Sequence, residues 1–104
     1  MPLNPKSCHS MADLRAQIDQ IDRELVALLT LRAAHIDRAI ELKPQEGLPA
    51  RIDSRVTEVL ERVATHADAQ GLDPVLTRKL WSELIDWSIA REEQVLGNGK
   101  EPER

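Results

Sequence analysis

The feature that most constrains the fold is a long uninterrupted segment, Met11 to Lys43, that contains neither glycine nor proline. These are about 33 residues, which as one helix would extend about 50 Å at 1.5 Å per residue. A compact domain of about 100 residues has a radius of gyration of only about 13 Å. The chain of 104 residues is therefore expected to form one domain whose first helix is longer than the globule that two further helices can build around it.

Apolar side chains recur along this segment at spacings of three and four, which predicts a helix that packs on other helices. They form two adjacent stripes: Leu14, Ile18, Ile21, Leu25 and Leu28 in the first, and Val26, Leu29, Ala33, Ile36 and Ile40 in the second. Two short helices of the same chain cannot cover both stripes over 50 Å. We expect a second copy of the chain to do so, giving a symmetric intertwined homodimer. A longer antiparallel coiled coil with a different partner is the alternative.

Capping signals divide the rest of the chain. Ser10, with Asp13 three residues later, predicts the start of the first helix. Pro44 is expected to end it, and Gly47 and Pro49 to form a loop. Residues 1–9 are expected to be an extended arm.

Two more helices are predicted, which makes the chain all-α with one long and two shorter helices. The second is expected from about Ile52 to Gln70, with Gly71 at its C-terminal cap. Asp73 followed by Pro74 predicts the start of the third, which should end at Leu96. Residues 97–104 are expected to be disordered, so the helical domain is predicted to span 10–96.

Composition excludes several function classes. The net charge of -4, the pI near 5.3 and the absence of Phe and Tyr argue against a nucleic-acid partner. No apolar run is long enough for a membrane span, and no signal peptide opens the chain. Cys8 is the single cysteine, which precludes an internal disulfide and is typical of a cytoplasmic protein. The three histidines are scattered, so no metal site is expected.

Arg32 occupies a position where the first apolar stripe requires a leucine. A guanidinium on a packing face is costly unless an anion meets it, and the stripe itself contains no acid. Lys43 follows after eleven residues, close to three helical turns, so the two cations project from nearly the same side. The pair predicts a pocket for a small anion. Alternatively, Arg32 reaches the surface or pairs with a glutamate of another helix.

Arg15 lies too far from Arg32 to serve the same pocket within one chain, because seventeen helical residues separate them by about 25 Å. In a two-fold dimer of long helices it could reach the partner's pocket. The alternative is a solvated arginine beside Asp19.

The segment MADLRAQIDQIDRELVALLTLRAAHIDRAIELK resembles the first helix of the all-helical chorismate mutases and of the isochorismate-pyruvate lyases built on the same fold. The shared pattern is LRxxIDxIDxxLVxLLxxR, followed by a lysine eleven residues after the arginine. The resemblance covers about residues 11–96 and extends to Arg55, Ser88 and Glu92. It implies an intertwined homodimer with two equivalent pockets for a small dicarboxylate, without a cofactor or metal.

The resemblance also implies roles for individual residues. Arg32 would hold one substrate carboxylate, and Arg15 would reach across the dimer to the other. Lys43 would contact a carboxylate and the ether oxygen, and Glu92 would face that oxygen. Further contacts would come from Arg55, at the pocket mouth, and from Ser88.

Chemistry explains why the family needs these residue types. Chorismate rearranges to prephenate in a pericyclic step that needs no nucleophile, while negative charge grows on the ether oxygen. A lysine and a second donor at that oxygen stabilise the transition state more than the ground state. Arginines bind the two carboxylates and select the reactive conformer.

Two positions depart from the mutase pattern. Many family mutases carry a glutamate at the position of Val56 and an acid at that of Ile52, whereas the lyases are apolar at the Val56 place. The lyases typically carry glutamine where this chain has Glu92, whereas mutases are known with either residue. The sequence therefore favours a chorismate mutase and leaves open an isochorismate-pyruvate lyase or a mutase for an amino-substituted chorismate. A non-catalytic helical dimer, with Arg32 paired to Glu92, is a further alternative.

Overall fold

A computed structural model of the chain describes residues 4–97. The secondary structure of these residues is helical and includes no strand. It consists of a short 3₁₀ turn, Pro5–Ser7, and three helices: α1, Met11–Glu46; α2, Asp53–Gln70; and α3, Pro74–Leu96. The prediction of an all-α chain with one long and two shorter helices is confirmed.

The start of α1 uses the predicted cap. The Ser10 hydroxyl oxygen accepts a hydrogen bond from the Asp13 N–H at 3.1 Å. The Asp13 carboxylate accepts from the N–H of His9 at 3.3 Å, one residue before the cap. The residues before α1 are not all extended, in contrast to the prediction for the arm. Pro5–Ser7 form a 3₁₀ turn, whose start is capped by the Asn4 side chain accepting from the Lys6 N–H at 2.9 Å.

The end of α1 differs from the prediction, because the helix continues through Pro44 to Glu46. Proline destabilises a helix because it lacks an N–H donor and crowds the preceding turn. Only two helical residues follow Pro44, so this destabilisation is confined to the last turn of α1. The helix ends instead at Gly47, whose φ of +72° is left-handed. Gly47 and Leu48 donate to the carbonyls of Pro44 and Lys43 at 3.2 and 2.8 Å, which is a Schellman cap.

The predicted limits of α2 and α3 are nearly those observed. α2 begins one residue later than expected, since Ile52 is the N-cap and has no side-chain capping bond, and it ends at Gly71 with φ +79°. At the start of α3 the Asp73 carboxylate accepts from the Val75 N–H at 2.9 Å, with Pro74 as the first helical residue. The predicted disordered tail lies outside the described residues from position 98 onward.

The chain divides into two compact units, with the boundary between His35 and Ile36. In the first unit no described residue is buried, and α1 exposes large apolar side chains such as Leu28 (63%) and Val26 (61%). None of the helices in the described chain is long and apolar enough to cross a membrane.

The second unit contains the buried core. Here α2 and α3 pack against each other, and the end of α1 bonds to α3 through side chains. The buried apolar residues are Ala50, Ala64, Ala67 and Ile85. Three polar residues are buried with them: Thr77, Ser88 and Glu92.

Candidate active site

The centre of the candidate site is a largely buried ion pair between α1 and α3. The Lys43 ammonium donates to Glu92 Oε1 at 2.6 Å, and the two side chains are 18% and 5% exposed. The structure thus brings together two of the three residues for which the sequence predicts a catalytic role. A buried charge is costly to desolvate unless it is paired and hydrogen-bonded, so the bond between the two groups offsets part of that cost and fixes their orientation.

The loop between α1 and α2 provides a third member. The Lys43 ammonium also donates to the carbonyl oxygen of Ala50 at 2.6 Å, and Ala50 is 2% exposed. The Lys43 backbone carbonyl accepts the Leu48 N–H at the helix cap. Lys43 therefore binds this loop through both its backbone and its side chain. An ammonium has three N–H donors, and the bonds to Glu92 and Ala50 use two of them.

Ser88 lies one helical turn before Glu92, on the same face of α3. It is 4% exposed, and its hydroxyl donates to the Leu84 carbonyl at 2.8 Å. The Ser88 hydroxyl thus lies beside Glu92 on the buried face of α3.

Arg55 bonds within its own helix in this structure. Its guanidinium donates to Glu58 at 2.7 Å, and Glu58 also accepts from Arg62 at 2.9 Å. The Arg55 hydrogen bond, followed by the charge of Arg62, lowers the pKa of Glu58. The Arg55 side chain is 59% exposed, and ion pairs at such exposure are typically weak.

The two positions that depart from the mutase pattern are both half-buried. Ile52 caps α2 with an extended backbone, and Val56 lies in its first turn. Both side chains are apolar, so neither side chain can accept a hydrogen bond, although the contact at Ile52 can come from the backbone.

The remaining predicted residues, Arg15 and Arg32, belong to the first unit. Arg15 is exposed and Arg32 is half-buried. Their predicted roles stay predictions.

Sequence reasoning missed a second link between α1 and α3. Arg91 donates to Asp37 through two nitrogens, Nε to Oδ1 at 2.5 Å and Nη2 to Oδ2 at 3.1 Å. The hydrogen bond from Arg91 lowers the pKa of Asp37, and the Asp37 carboxylate raises the pKa of Arg91. The partners are 54 residues apart, and no local spacing signals such a pair. The Ala50 carbonyl was missed for the same reason, since a backbone acceptor has no sequence signature.

Residues 4–97 contain no group of three or more His, Cys, Asp or Glu side chains that could hold a metal ion.

The chain is similar to known proteins over most of its length. The sequence model of a family described as chorismate mutase type II matches residues 14–93. The chain is 34% identical over 89 residues to an isochorismate pyruvate lyase of Pseudomonas aeruginosa, covering 85% of this chain and 86% of that protein. It is 26% identical over 86 residues to a chorismate mutase of Methanocaldococcus jannaschii, covering 83% and 87%. A T-protein of Haemophilus influenzae is 29% identical over 85 residues, which are 82% of this chain and 22% of that protein.

Proposed function

This chain belongs to the chorismate mutase type II family, and from that premise we propose that it is a chorismate mutase, which rearranges chorismate to prephenate. The observation that carries the proposal is the largely buried Lys43 ammonium, held by Glu92 and the Ala50 carbonyl at 2.6 Å each. A fixed cation shielded from water is what an anionic transition state requires.

Lys43 has the main catalytic role in this proposal. Negative charge grows on the ether oxygen as its bond to carbon breaks, and the remaining ammonium donor would stabilise that charge. Since the ammonium is already oriented by two acceptors, little reorganisation accompanies the reaction. No side chain acts as a nucleophile, and no cofactor is needed.

Glu92 is proposed as the second donor at the ether oxygen. An ionised carboxylate only accepts hydrogen bonds, so this role requires the protonated acid. In the substrate-free structure Glu92 accepts from Lys43. The arrival of two substrate carboxylates adds negative charge to the site, and this charge favours protonation of a neighbouring acid.

The other site residues are proposed to bind the substrate carboxylates. Arg32 and Ser88 would serve the pocket of their own chain, and Arg55 would leave Glu58 to close its mouth. Arg15 would come from a second copy of the chain, so the active form is proposed to be an intertwined homodimer. The functional domain is proposed to span 10–96, with the arm and tail outside it, in the cytoplasm.

An isochorismate pyruvate lyase is the second candidate. Two observations favour it: Val56 is apolar, as in the lyases, and the chain is 34% identical to a protein of that name. A mutase for an amino-substituted chorismate is compatible with the same apolar position. A non-catalytic dimer is the remaining alternative, in which the Lys43–Glu92 pair would only stabilise the fold.

Parallel assays on chorismate and isochorismate test the proposal. We expect chorismate to be consumed with formation of prephenate, and Lys43→Gln to abolish this turnover while the variant still folds. Salicylate and pyruvate formed from isochorismate at a much higher kcat/KM would replace the mutase by the lyase. A thermal-shift series with both substrates and prephenate completes the test, because a non-catalytic module should respond to none of them.

A further inference from the structure

A second cross-link between α1 and α3 lies next to the Lys43–Glu92 pair. It consists of the bidentate ion pair of Asp37 and Arg91, with donor–acceptor distances of 2.5 and 3.1 Å. Two parallel N–H···O bonds fix the orientation of a guanidinium as well as its position. The pair therefore constrains how α3 is rotated relative to the end of α1.

An aromatic ring restricts Arg91 further. Trp87 lies one helical turn earlier on α3, and the guanidinium carbon of Arg91 is 5.4 Å from the centre of its ring. This distance is within the range of a cation–π interaction. Arg91 is thus held by a carboxylate of one helix and a ring of its own helix.

The location of this cross-link relates it to the site. Arg91 immediately precedes Glu92, and Asp37 lies six residues before Lys43, about 9 Å along α1. Successive helical residues point about 100° apart, so a small rotation of α3 about its axis would swing Glu92 away from the Lys43 ammonium. Two cross-links at separate points of α1 oppose that rotation on the side of α3 that faces α1, in addition to the packing of α3 against α2.

The stability of the fold does not account for this arrangement. The side chains of Arg91 and Asp37 are 44% and 48% exposed, and ion pairs at such exposure add little to folding stability. Their effect on geometry can be much larger, because a misplacement of about 1 Å in an active site can reduce a rate about 100-fold.

We propose that the Asp37–Arg91 ion pair is a positioning device that sets the rotation of α3 and so keeps the Glu92 carboxyl group opposite the Lys43 ammonium. Neither residue touches the substrate. The kinetic consequence rests on the proposed function, since it requires Glu92 and Lys43 to act on the reacting ether, but the placement of Glu92 does not.

Paired variants with matched charge controls test the proposal. Asp37→Asn and Arg91→Gln each break the cross-link. Glu41→Gln and Arg38→Gln remove the same charges from an exposed pair that joins α1 only to itself, at 2.7 Å. We expect kcat for chorismate to fall about 10-fold in each cross-link variant with KM within about 2-fold, and both controls to match wild type. The double variant should be no slower than either single one, because both changes break the same contact.

A spectroscopic readout separates this proposal from the proposed function. The NMR resonances of Glu92 13Cδ and Lys43 15Nζ report their mutual hydrogen bond in the substrate-free protein. They should shift in Asp37→Asn and in Arg91→Gln and stay unchanged in the two controls. The wild-type protein could turn over neither substrate while the resonances still shift only in the cross-link variants. That outcome would support the positioning role and reject the proposed function. Unchanged resonances would overturn the positioning role, even if the melting temperature fell.

Discussion

At the scale of single residues, the protonation state of Glu92 decides which chemistry the site can perform. Its side chain is 5% exposed and accepts from the Lys43 ammonium at 2.6 Å. Ionised, it would repel the charge that grows on the ether oxygen; protonated, it would donate to that oxygen. The proposed donor role therefore requires the protonated form of Glu92.

The variant Glu92→Gln tests this role, because glutamine keeps a neutral donor of similar size at every pH. We expect the variant to retain turnover, and its rate to decline less than that of wild type as the pH rises. Rate profiles between about pH 4.5 and 8.5, a range wide enough to bracket a shifted carboxyl group, measure the difference. Glu93→Gln, the adjacent and less buried change, is the control. A flat wild-type profile, or an inactive glutamine variant, would contradict the donor role.

At the scale of secondary-structure elements, helix ends in this chain depend on left-handed glycines. Gly71 has φ +79°, and a Cβ added there would meet no other atom within 4 Å. Gly71→Ala should therefore lower the free energy of unfolding by about 1–2 kcal/mol through backbone strain alone. Gly71→Asn should cost less, because asparagine tolerates this conformation. Urea unfolding of the three proteins gives the values, and equal stability of all three would show that the cap does not limit the fold.

The link between α1 and α3 should weaken in acid. The hydrogen bond from Arg91 lowers the pKa of Asp37 below its ordinary value of 3.8. A carboxyl group whose pKa is lower in the folded than in the unfolded state stabilises the protein at pH values above its unfolded-state pKa. This contribution is lost as the pH falls through the folded-state pKa. The difference in melting temperature between wild type and Asp37→Asn should thus be constant near neutral pH, decline as the pH falls below 3.8, and vanish only below the lowered pKa of the folded state. If the difference in melting temperature persisted in strong acid, its cause would be the packing of the Asp37 side chain and not its charge.

Local signals predicted the elements better than they predicted the site. Ser10, Gly71 and Asp73 are found at the expected caps because capping depends on a few adjacent residues. Pro44 did not end α1, because the Schellman cap at Gly47 sets the boundary. The Ala50 carbonyl and the Arg91–Asp37 pair depend on how elements pack, and neither leaves a local pattern. Lys43 was predicted from its helical spacing to Arg32, and Glu92 from the family pattern, which carries long-range information that periodicity lacks.

At the scale of the whole molecule, the apolar surface of α1 is the main unexplained feature. Between positions 4 and 35 no described residue is buried, and Leu25, Val26 and Leu28 are 52%, 61% and 63% exposed. A contiguous apolar surface of this kind marks an interaction site. We expect an obligate homodimer without a stable folded monomer, so that sedimentation at low micromolar concentration shows a dimer. A well-folded monomer would contradict both the dimer and the role of Arg15.

The proposed dimer also makes a prediction about which chain supplies which arginine. Arg15→Ala and Arg32→Ala should each abolish turnover alone, because every pocket would lack one of the two arginines that bind the substrate carboxylates. In a heterodimer of the two variants, one pocket would contain both arginines and the other neither. Random subunit exchange gives heterodimers in half of the population, each with one intact pocket of two, so mixing should restore about a quarter of wild-type activity.

The mixing experiment needs proof of exchange and a neutral substitution. Mass spectrometry of differently tagged chains establishes that heterodimers form, and Arg23→Ala, an exposed arginine of α1 between the two, should leave turnover unchanged. Recovery near a quarter would mean that each pocket is built from two chains. If heterodimers form and no activity returns, both arginines serve the pocket of their own chain. The length of α1 would then reflect helix packing and not a shared pocket.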